Sequence, residues 1–156
     1  MNIEFDALYA STQPDLEAVS GPLFDFSALC LKKRGNFLPH GALLKKDGQL
    51  VLVSAAPNGA DGHSTSVEVL PLLHDGLRQR ARELGARAIG VAENVTATRE
   101  GQAPATAIKV LFEHENGLTV ALYLPFKKRF LRAPELGEIF AASAEAEVRA
   151  WASSAA

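Results

Sequence analysis

The sequence predicts an α+β fold in which helices cover both faces of an antiparallel sheet of about five strands. Two dipeptides carry most of this prediction, because Asp47-Gly48 and Asn116-Gly117 each lie between two apolar segments. Such dipeptides tolerate the positive φ angles of a two-residue type I′ turn, whose twist matches that of the flanking strands. Both therefore predict β-hairpins, and segments with helical spacing of apolar residues lie around them.

Size and composition favour one globular domain spanning residues 1–156. Of these residues 47% are hydrophobic, and the formal net charge of -2 creates no field that attracts nucleic acid or a membrane. The one cysteine excludes an internal disulfide, the N-terminus lacks the features of a signal peptide, and no apolar segment approaches the about 20 residues of a membrane-spanning helix. We expect a cytoplasmic protein with no cofactor and no membrane contact.

Two helices are predicted before the first hairpin. Asp15 caps a short helix, which Gly21-Pro22 interrupts. The second helix ends at Lys32-Lys33-Arg34, just before Gly35, and these cations oppose the negative end of the helix dipole, so they need no ligand. The apolar residues predicted to face inward are Leu16 and Val19 in the first helix and Leu23, Phe26, Leu29 and Cys30 in the second.

A third helix, a strand, the second hairpin and a last helix follow the loop 57–65. Thr65 with Glu68 has the spacing of a capping box, and Gly85 closes the helix that this box opens. Pro125 is expected to end the pairing of the second hairpin, and Pro134 precedes the last helix. The predicted inward stripes are Leu70, Leu73, Leu77, Ala81 and Leu84 in the third helix and Leu136, Ile139, Phe140 and Ala144 in the last. The strand from Ala86 to Thr96 should place Ala88, Gly90 and Ala92 on one face and Ile89, Val91 and Val95 on the other.

Two-residue turns also predict which strand residues lie opposite each other. In the second hairpin Phe112 should face Ala121, which puts Leu111 and Leu122 together on the other side of the sheet. In the first hairpin Leu43 should face Leu52. Both faces would then be apolar, and because burying a leucine contributes about 1.5 to 3 kcal/mol, helices or a second subunit must cover each face.

The predicted element order, α-β-β-α-β-β-β-α over about residues 15–145, resembles the roadblock and profilin-like architecture. The sequence is also similar to an uncharacterised family of small bacterial single-domain proteins. These resemblances imply a fold and a bacterial origin, but no functional residue. The similar segments are 37–42, the turn at 47–48, 86–92, 107–110 with Glu113-His114, 124–126 and 137–141.

The loop 57–65 is the best candidate for a ligand site in the sequence. It leads into a helix N-terminus, where backbone amides can bind a phosphate or a carboxylate. The capping box and solvent satisfy the same amides in the simpler structural interpretation. The candidate ligand-binding residues are Asn58, Asp61, His63, Ser64 and Thr65.

The other reactive side chains have simpler structural explanations. Glu113 and His114 are neighbours on a strand and point to opposite faces, so they do not converge on a metal ion. Glu113 is interpreted as a surface carboxylate, and Cys30 as a structural residue on an apolar helix stripe. Lys127 to Arg132 is the densest basic run and interleaves Phe130, a pattern of some nucleic-acid surfaces, but its ordinary interpretation is a solvated strand end. Phe126, Phe130 and Trp151 either form a patch for a partner or pack the last helix.

We therefore expect a non-enzymatic protein-interaction module, with a protein or a second copy of the chain as its partner. Self-association as a homodimer would use a sheet edge or helix faces. The alternative is a small-molecule or anion-binding protein, or an enzyme, with a pocket between the loop 57–65 and the sheet that uses His63, His40 or Glu113. An immunity-like role against a toxin is a third form of protein binding, which the residues do not distinguish from the first.

Overall fold

The structure is a computed structural model that describes residues 3–55, 66–98, 101–129 and 132–151. Two helices and seven strands make up this part of the chain. In chain order they are α1 (Ile3–Arg34), β1 (His40–Lys45), β2 (Leu50–Val53), α2 (Ser66–Leu84), β3 (Ala86–Ala97), β4 (Ala105–His114), β5 (Thr119–Arg129), β6 (Arg132–Leu136) and β7 (Phe140–Ser143). Neither described helix is both long enough and apolar enough to cross a bilayer.

All seven strands form one antiparallel sheet in the order β2-β1-β3-β4-β5, beyond which β6 and β7 both pair with β5. β7 pairs with the first part of β5 and β6 with its last part. α1 packs against β1, β3, β4 and β6, whereas α2 packs against β1, β2 and β3. The α+β class, the antiparallel sheet and the helices on its two faces are as predicted, but the sheet has seven described strands rather than five.

The predicted last helix is wrong, because its segment contains β6 and β7. Leu136 pairs with Phe126, and Phe140 pairs with Tyr123, along the edge of β5 that β4 leaves free. The backbone N–H and C=O groups on that edge need hydrogen-bond partners. Pairing with them stabilises this segment as strands, although the spacing of its few apolar residues is helical. The prediction that pairing of the second hairpin ends at Pro125 is confirmed, although β5 itself continues to Arg129 and pairs there with β6. Pro125 pairs with Ala107 between the two segments of β5 that bind β7 and β6.

The predicted interruption at Gly21-Pro22 is also wrong, since α1 is one helix that contains Pro14 and Pro22. A proline inside a helix removes a hydrogen bond and costs about 3 kcal/mol. Buried residues on both sides of Pro22 offset that cost, since each large apolar side chain contributes about 1.5 to 3 kcal/mol. They include Leu16, Val19, Leu23, Phe24 and Leu31. The predicted end is confirmed, as Gly35 has φ of +73° and its amide donates to the Leu31 carbonyl at 2.9 Å.

Both hairpin turns contain three residues rather than two. The His114 amide donates to the Leu118 carbonyl, and the Lys45 amide donates to the Gln49 carbonyl, so the loops are 115–117 and 46–48. Only the glycine of each dipeptide has a positive φ, +98° at Gly117 and +92° at Gly48. The side-chain oxygen of Asn116 accepts from the Leu118 amide at 3.0 Å, and Asp47 makes the same contact with Gln49 at 2.9 Å. These Asx turns replace the type I′ geometry.

The extra loop residue shifts the register by one and changes the faces of the sheet. Phe112 lies opposite Val120 instead of Ala121, and Leu43 lies opposite Val51 instead of Leu52. Because side chains alternate along a strand, a shift of one residue moves every side chain of one strand to the other face. The α1 face therefore collects most of the large apolar residues of the second hairpin, namely Ile108, Val110, Phe112, Leu118, Val120, Leu122 and Leu124. The opposite face keeps Leu111 and Ala121 but receives Lys109, Glu113, Thr119 and Tyr123, so it is less apolar than predicted.

β3 separates two hydrophobic cores. Ala88 and Ala92 belong to the core under α1, and Ile89 and Val91 to the core under α2, as the alternation predicts. Gly90 lies beneath α1, and a Cβ atom there would come within 2.5 Å of Val19 and 2.7 Å of Leu23. The small residues of β3 therefore allow α1 to pack close to the sheet.

Candidate functional site

The five candidate ligand residues of the sequence, Asn58, Asp61, His63, Ser64 and Thr65, lie outside the described residues. Of the side chains proposed to act with them, the structure describes His40 and Glu113. His40 lies on the α1 face and Glu113 on the opposite face. One pocket cannot use both groups, because the sheet separates them.

His40 forms a buried hydrogen-bonded pair with Ser27 of α1. Its Nε2 lies 3.2 Å from Ser27 Oγ, and its Nδ1–H donates to the Leu38 carbonyl at 3.1 Å. The Ser27 hydroxyl also lies 2.8 Å from the Leu23 carbonyl. Burial lowers the pKa of His40 from its ordinary value of 6.5. The side chain of Ser27 is fully buried, so a substrate cannot reach it, and the pair fastens the start of β1 to α1.

Glu113 is not the surface carboxylate expected from the sequence. Its side chain is buried and accepts three successive backbone amides, from Glu147 at 3.1 Å, Val148 at 2.9 Å and Arg149 at 2.8 Å. Successive amides of this kind form a nest that binds an anion. Glu113 therefore holds the C-terminal segment, residues 144–151, against the face of the sheet that carries α2.

His114 points to the other face, as predicted, and joins a polar cluster with α1. Its Nε2–H donates to Asp15 at 2.9 Å, and its Nδ1 accepts from the Asn116 amide at 3.2 Å. Arg87 binds both oxygens of the same carboxylate, at 3.0 and 3.2 Å. Burial raises the pKa of Asp15, but the hydrogen bonds from His114 and Arg87 outweigh this effect and hold it below 3.8. The cluster anchors α1 to the second hairpin.

The other candidate residues that the structure describes either pack against a hydrophobic core or lie exposed at the end of a strand. Cys30 is partly buried and packs against the core under α1, as expected of a structural cysteine. Lys127 and Arg129 are exposed at the end of β5. Trp151 packs against the core under α2, and its Nε1–H donates to the Ala86 carbonyl at 3.1 Å. Among the described residues, no group of three His, Cys, Asp or Glu side chains could hold a metal ion.

An exposed apolar surface lies where α1 approaches the β1–β2 edge of the sheet. We call Phe26, Leu29, Leu38 and Leu52 the α1–β2 patch. Their side chains are 45%, 44%, 41% and 57% exposed, and they account for four of the nine large hydrophobic residues that are exposed in the described part of the chain. Isolated exposed leucines are common on proteins, but a cluster indicates an interaction surface.

His40 links Phe26 to Leu38, and the geometry of α1 and β2 places Leu29 and Leu52 on the same side of the sheet. The Phe26 ring lies 4.8 Å from the ring of His40, which in turn binds the Leu38 carbonyl. Leu29 is one helical turn beyond Phe26 on the outer side of α1. Leu52 pairs with Ala42, two residues after His40 on the same face of β1. Phe26 and Leu29 were predicted to face the core, and they are exposed instead, because the apolar residues of α1 are too widely spread around the helix for one buried stripe.

β2 borders the patch and forms one end of the sheet. Its four residues, Leu50–Val53, carry no charge, and its outer edge has no partner among the described strands. Unpaired amide and carbonyl groups along such an edge are a template for another strand. The exposed apolar patch and the uncharged edge strand together form the candidate functional site.

Comparison of the chain with models of protein families, with curated proteins and with solved structures finds no significant match.

Proposed function

We propose that this protein is a protein-interaction module that associates with a second copy of itself through the α1–β2 patch and the outer edge of β2. The observation that carries the proposal is the exposed patch beside an uncharged edge strand. In a two-fold dimer, the β2 strands of the two copies pair antiparallel and extend the sheet. The patches of both copies then lie on the same side of the joined sheet, where each covers the other.

Charge favours a second copy as the occupant of this surface. If the two α1 helices meet antiparallel about Leu29, Asp25 of one copy lies opposite Lys33 of the other, since both positions are exposed and four residues from the centre. Antiparallel pairing of β2 about Leu52 keeps both patches on the same side of the joined sheet and places Leu50 opposite Ser54, so no like charges meet. β7 offers a poorer edge. Glu138 and Glu145 flank this strand, and charged residues beside an edge strand protect it from self-association.

Sedimentation velocity of the full chain and of single-residue variants tests the proposal. Leu29→Glu and Leu52→Lys should each raise the dissociation constant of the dimer at least about tenfold, because each introduces two desolvated charges per dimer. Val67→Lys is the matched control, since Val67 is 83% exposed on α2, and it should leave the constant unchanged. A wild-type chain that stays monomeric at about 100 μM contradicts the proposal.

A charge exchange separates this geometry from other dimers. Asp25→Lys and Lys33→Asp should each weaken the dimer, by roughly two- to tenfold for two exposed ion pairs, and the double variant should recover most of the loss. If the double variant loses as much binding free energy as the two single variants together, Asp25 and Lys33 do not face each other in the dimer.

A further inference from the structure

A cleft of about 360 Å³ lies on the face opposite α1, between the turn of the second hairpin and the C-terminal segment. The buried Glu113 forms its inner end and holds residues 147–149 in place. Trp151 forms one wall and is itself fixed by its hydrogen bond to the Ala86 carbonyl. The cleft is therefore preformed, and it offers an indole surface to a ligand.

Besides the buried Glu113, two exposed residues of opposite charge, Arg149 and Glu115, line this cleft without pairing with each other. Arg149 uses its Nε–H to bind the Ala146 carbonyl at 3.1 Å, and within the described part of the chain its two terminal NH₂ groups have no partner. The carboxylate of Glu115, on the hairpin turn, likewise has no partner among the described side chains. No ion pair joins the two groups, so their charged atoms are more than 4.0 Å apart.

The backbone at Arg149 is strained in a way that serves this arrangement. Its φ of +58° is the one positive value at a non-glycine residue in the described ranges. Left-handed backbone at such a residue costs about 1 to 2 kcal/mol, and it persists where the surroundings require it. Here the Glu113 carboxylate holds the Arg149 amide at 2.8 Å, and this geometry presents the guanidinium to the cleft.

We infer that this cleft binds a small zwitterion with an apolar side group, such as a free hydrophobic amino acid or a dipeptide. Arg149 binds the carboxylate through its planar fork, Glu115 binds the ammonium group, and Trp151 packs against the apolar group. Because Arg149 and Glu115 carry opposite charges and the Glu113 carboxylate is occupied by three backbone amides, a neutral zwitterion matches the site better than a single anion or cation does. The inference does not depend on self-association, since the cleft and the α1–β2 patch lie on opposite faces of the sheet.

Trp151 is the one tryptophan of the chain, so its fluorescence reports binding at the cleft directly. The probes are L-phenylalanine and glycyl-phenylalanine, with 3-phenylpropionate and phenethylamine as analogues that each lack one charge. At least one zwitterion should change the emission with saturation and bind about tenfold more tightly than both analogues. Arg149→Gln should remove the advantage over phenethylamine, and Glu115→Gln the advantage over 3-phenylpropionate.

Arg82→Gln is the control, since Arg82 is an exposed cation at the end of α2 that does not line the cleft, and it should bind like the wild type. Circular dichroism confirms that each variant is folded before its titration is interpreted. The inference is overturned if no probe saturates below about 10 mM, or if the zwitterions bind no better than the single-charge analogues. Unchanged affinities in folded Arg149→Gln and Glu115→Gln would overturn it as well.

Discussion

At the scale of single residues, the register of the sheet places an ionisable side chain where it costs stability. Glu93 of β3 lies directly opposite Lys109 of β4, which also contacts Glu147 at 3.6 Å. Burial raises the pKa of Glu93 above its ordinary value of 4.5, and the attraction of Lys109 only partly compensates. The ionised form of Glu93 is therefore less favourable in the folded chain than in the unfolded one.

Glu93→Gln should stabilise the protein at neutral pH. A carboxyl whose folded pKa is raised contributes stability that is present below its unfolded value of 4.5 and is lost as the pH rises through the folded value. The gain from the variant should therefore be largest at pH 7 and shrink toward pH 4. Urea unfolding at both pH values measures it, with the exposed Glu138→Gln as control. If the variant is less stable than the wild type at pH 7, the attraction between the Glu93 carboxylate and Lys109 contributes more than the burial of Glu93 costs.

Asp15 has the opposite dependence on pH. Its pKa is lowered, so its contribution is present above the ordinary value of 3.8 and is lost as the pH falls below it. Asp15→Asn removes the negative charge and one of the two acceptor oxygens that Arg87 and His114 share, and it should lower the free energy of unfolding at pH 7 by roughly 1 to 3 kcal/mol. The difference between variant and wild type should narrow below about pH 3.5. A loss that is constant with pH would mean that packing, rather than charge, anchors α1.

At the scale of elements, strand positions were predicted better than pairings. Both Asx-Gly hairpins exist, and the alternation of Ala88 to Val91 on β3 is correct. The register was wrong by one, because the sequence does not reveal whether Asn116 takes a positive φ or caps the turn with its side chain. β6 and β7 were missed because the local spacing is helical, whereas the edge of β5, which is distant in sequence, supplies the partners.

The close contact between α1 and β3 at Gly90 can be tested by substitution. Gly90→Ala should destabilise the protein by about 1 to 3 kcal/mol, because its Cβ would overlap Val19 and Leu23 of α1. Gly76→Ala is the matched control. Gly76 lies in α2 with open space around it, so alanine should stabilise the helix by about 0.5 to 1 kcal/mol. Chemical denaturation measures both changes, and equal effects at the two positions would contradict the proposed packing.

At the scale of the whole molecule, the two faces of the sheet differ more than the sequence suggests. The α1 face gathers nearly all the large apolar residues of β4 and β5, whereas α2 covers only the β1–β3 half of the other face. Both surfaces to which we assign a role follow from this arrangement. The α1–β2 patch contains apolar residues of α1 and β2 that remain outside the core, and the cleft beside Trp151 lies beyond the part of the sheet that α2 reaches.

Neither surface could be located from the sequence. Phe26 and Leu29 have the spacing of core residues, and only the direction of α1 across the sheet shows that they point outward. Glu113 and Trp151 are 38 residues apart, and the nest that joins their segments consists of backbone amides, which leave no mark in the residue types. Self-association through a sheet edge or a helix face was expected only because the sequence has more apolar residues than one sheet and its helices were expected to bury. It stays a prediction.

Hydrogen–deuterium exchange of the wild-type chain at two concentrations, about 1 μM and about 100 μM, tests the proposed interface most directly. At the higher concentration, amides of β2 and of the C-terminal half of α1 should exchange more slowly, while those of β6 and β7 stay unchanged. Protection that is independent of concentration everywhere, or that increases at β7 and not at β2, would contradict the account.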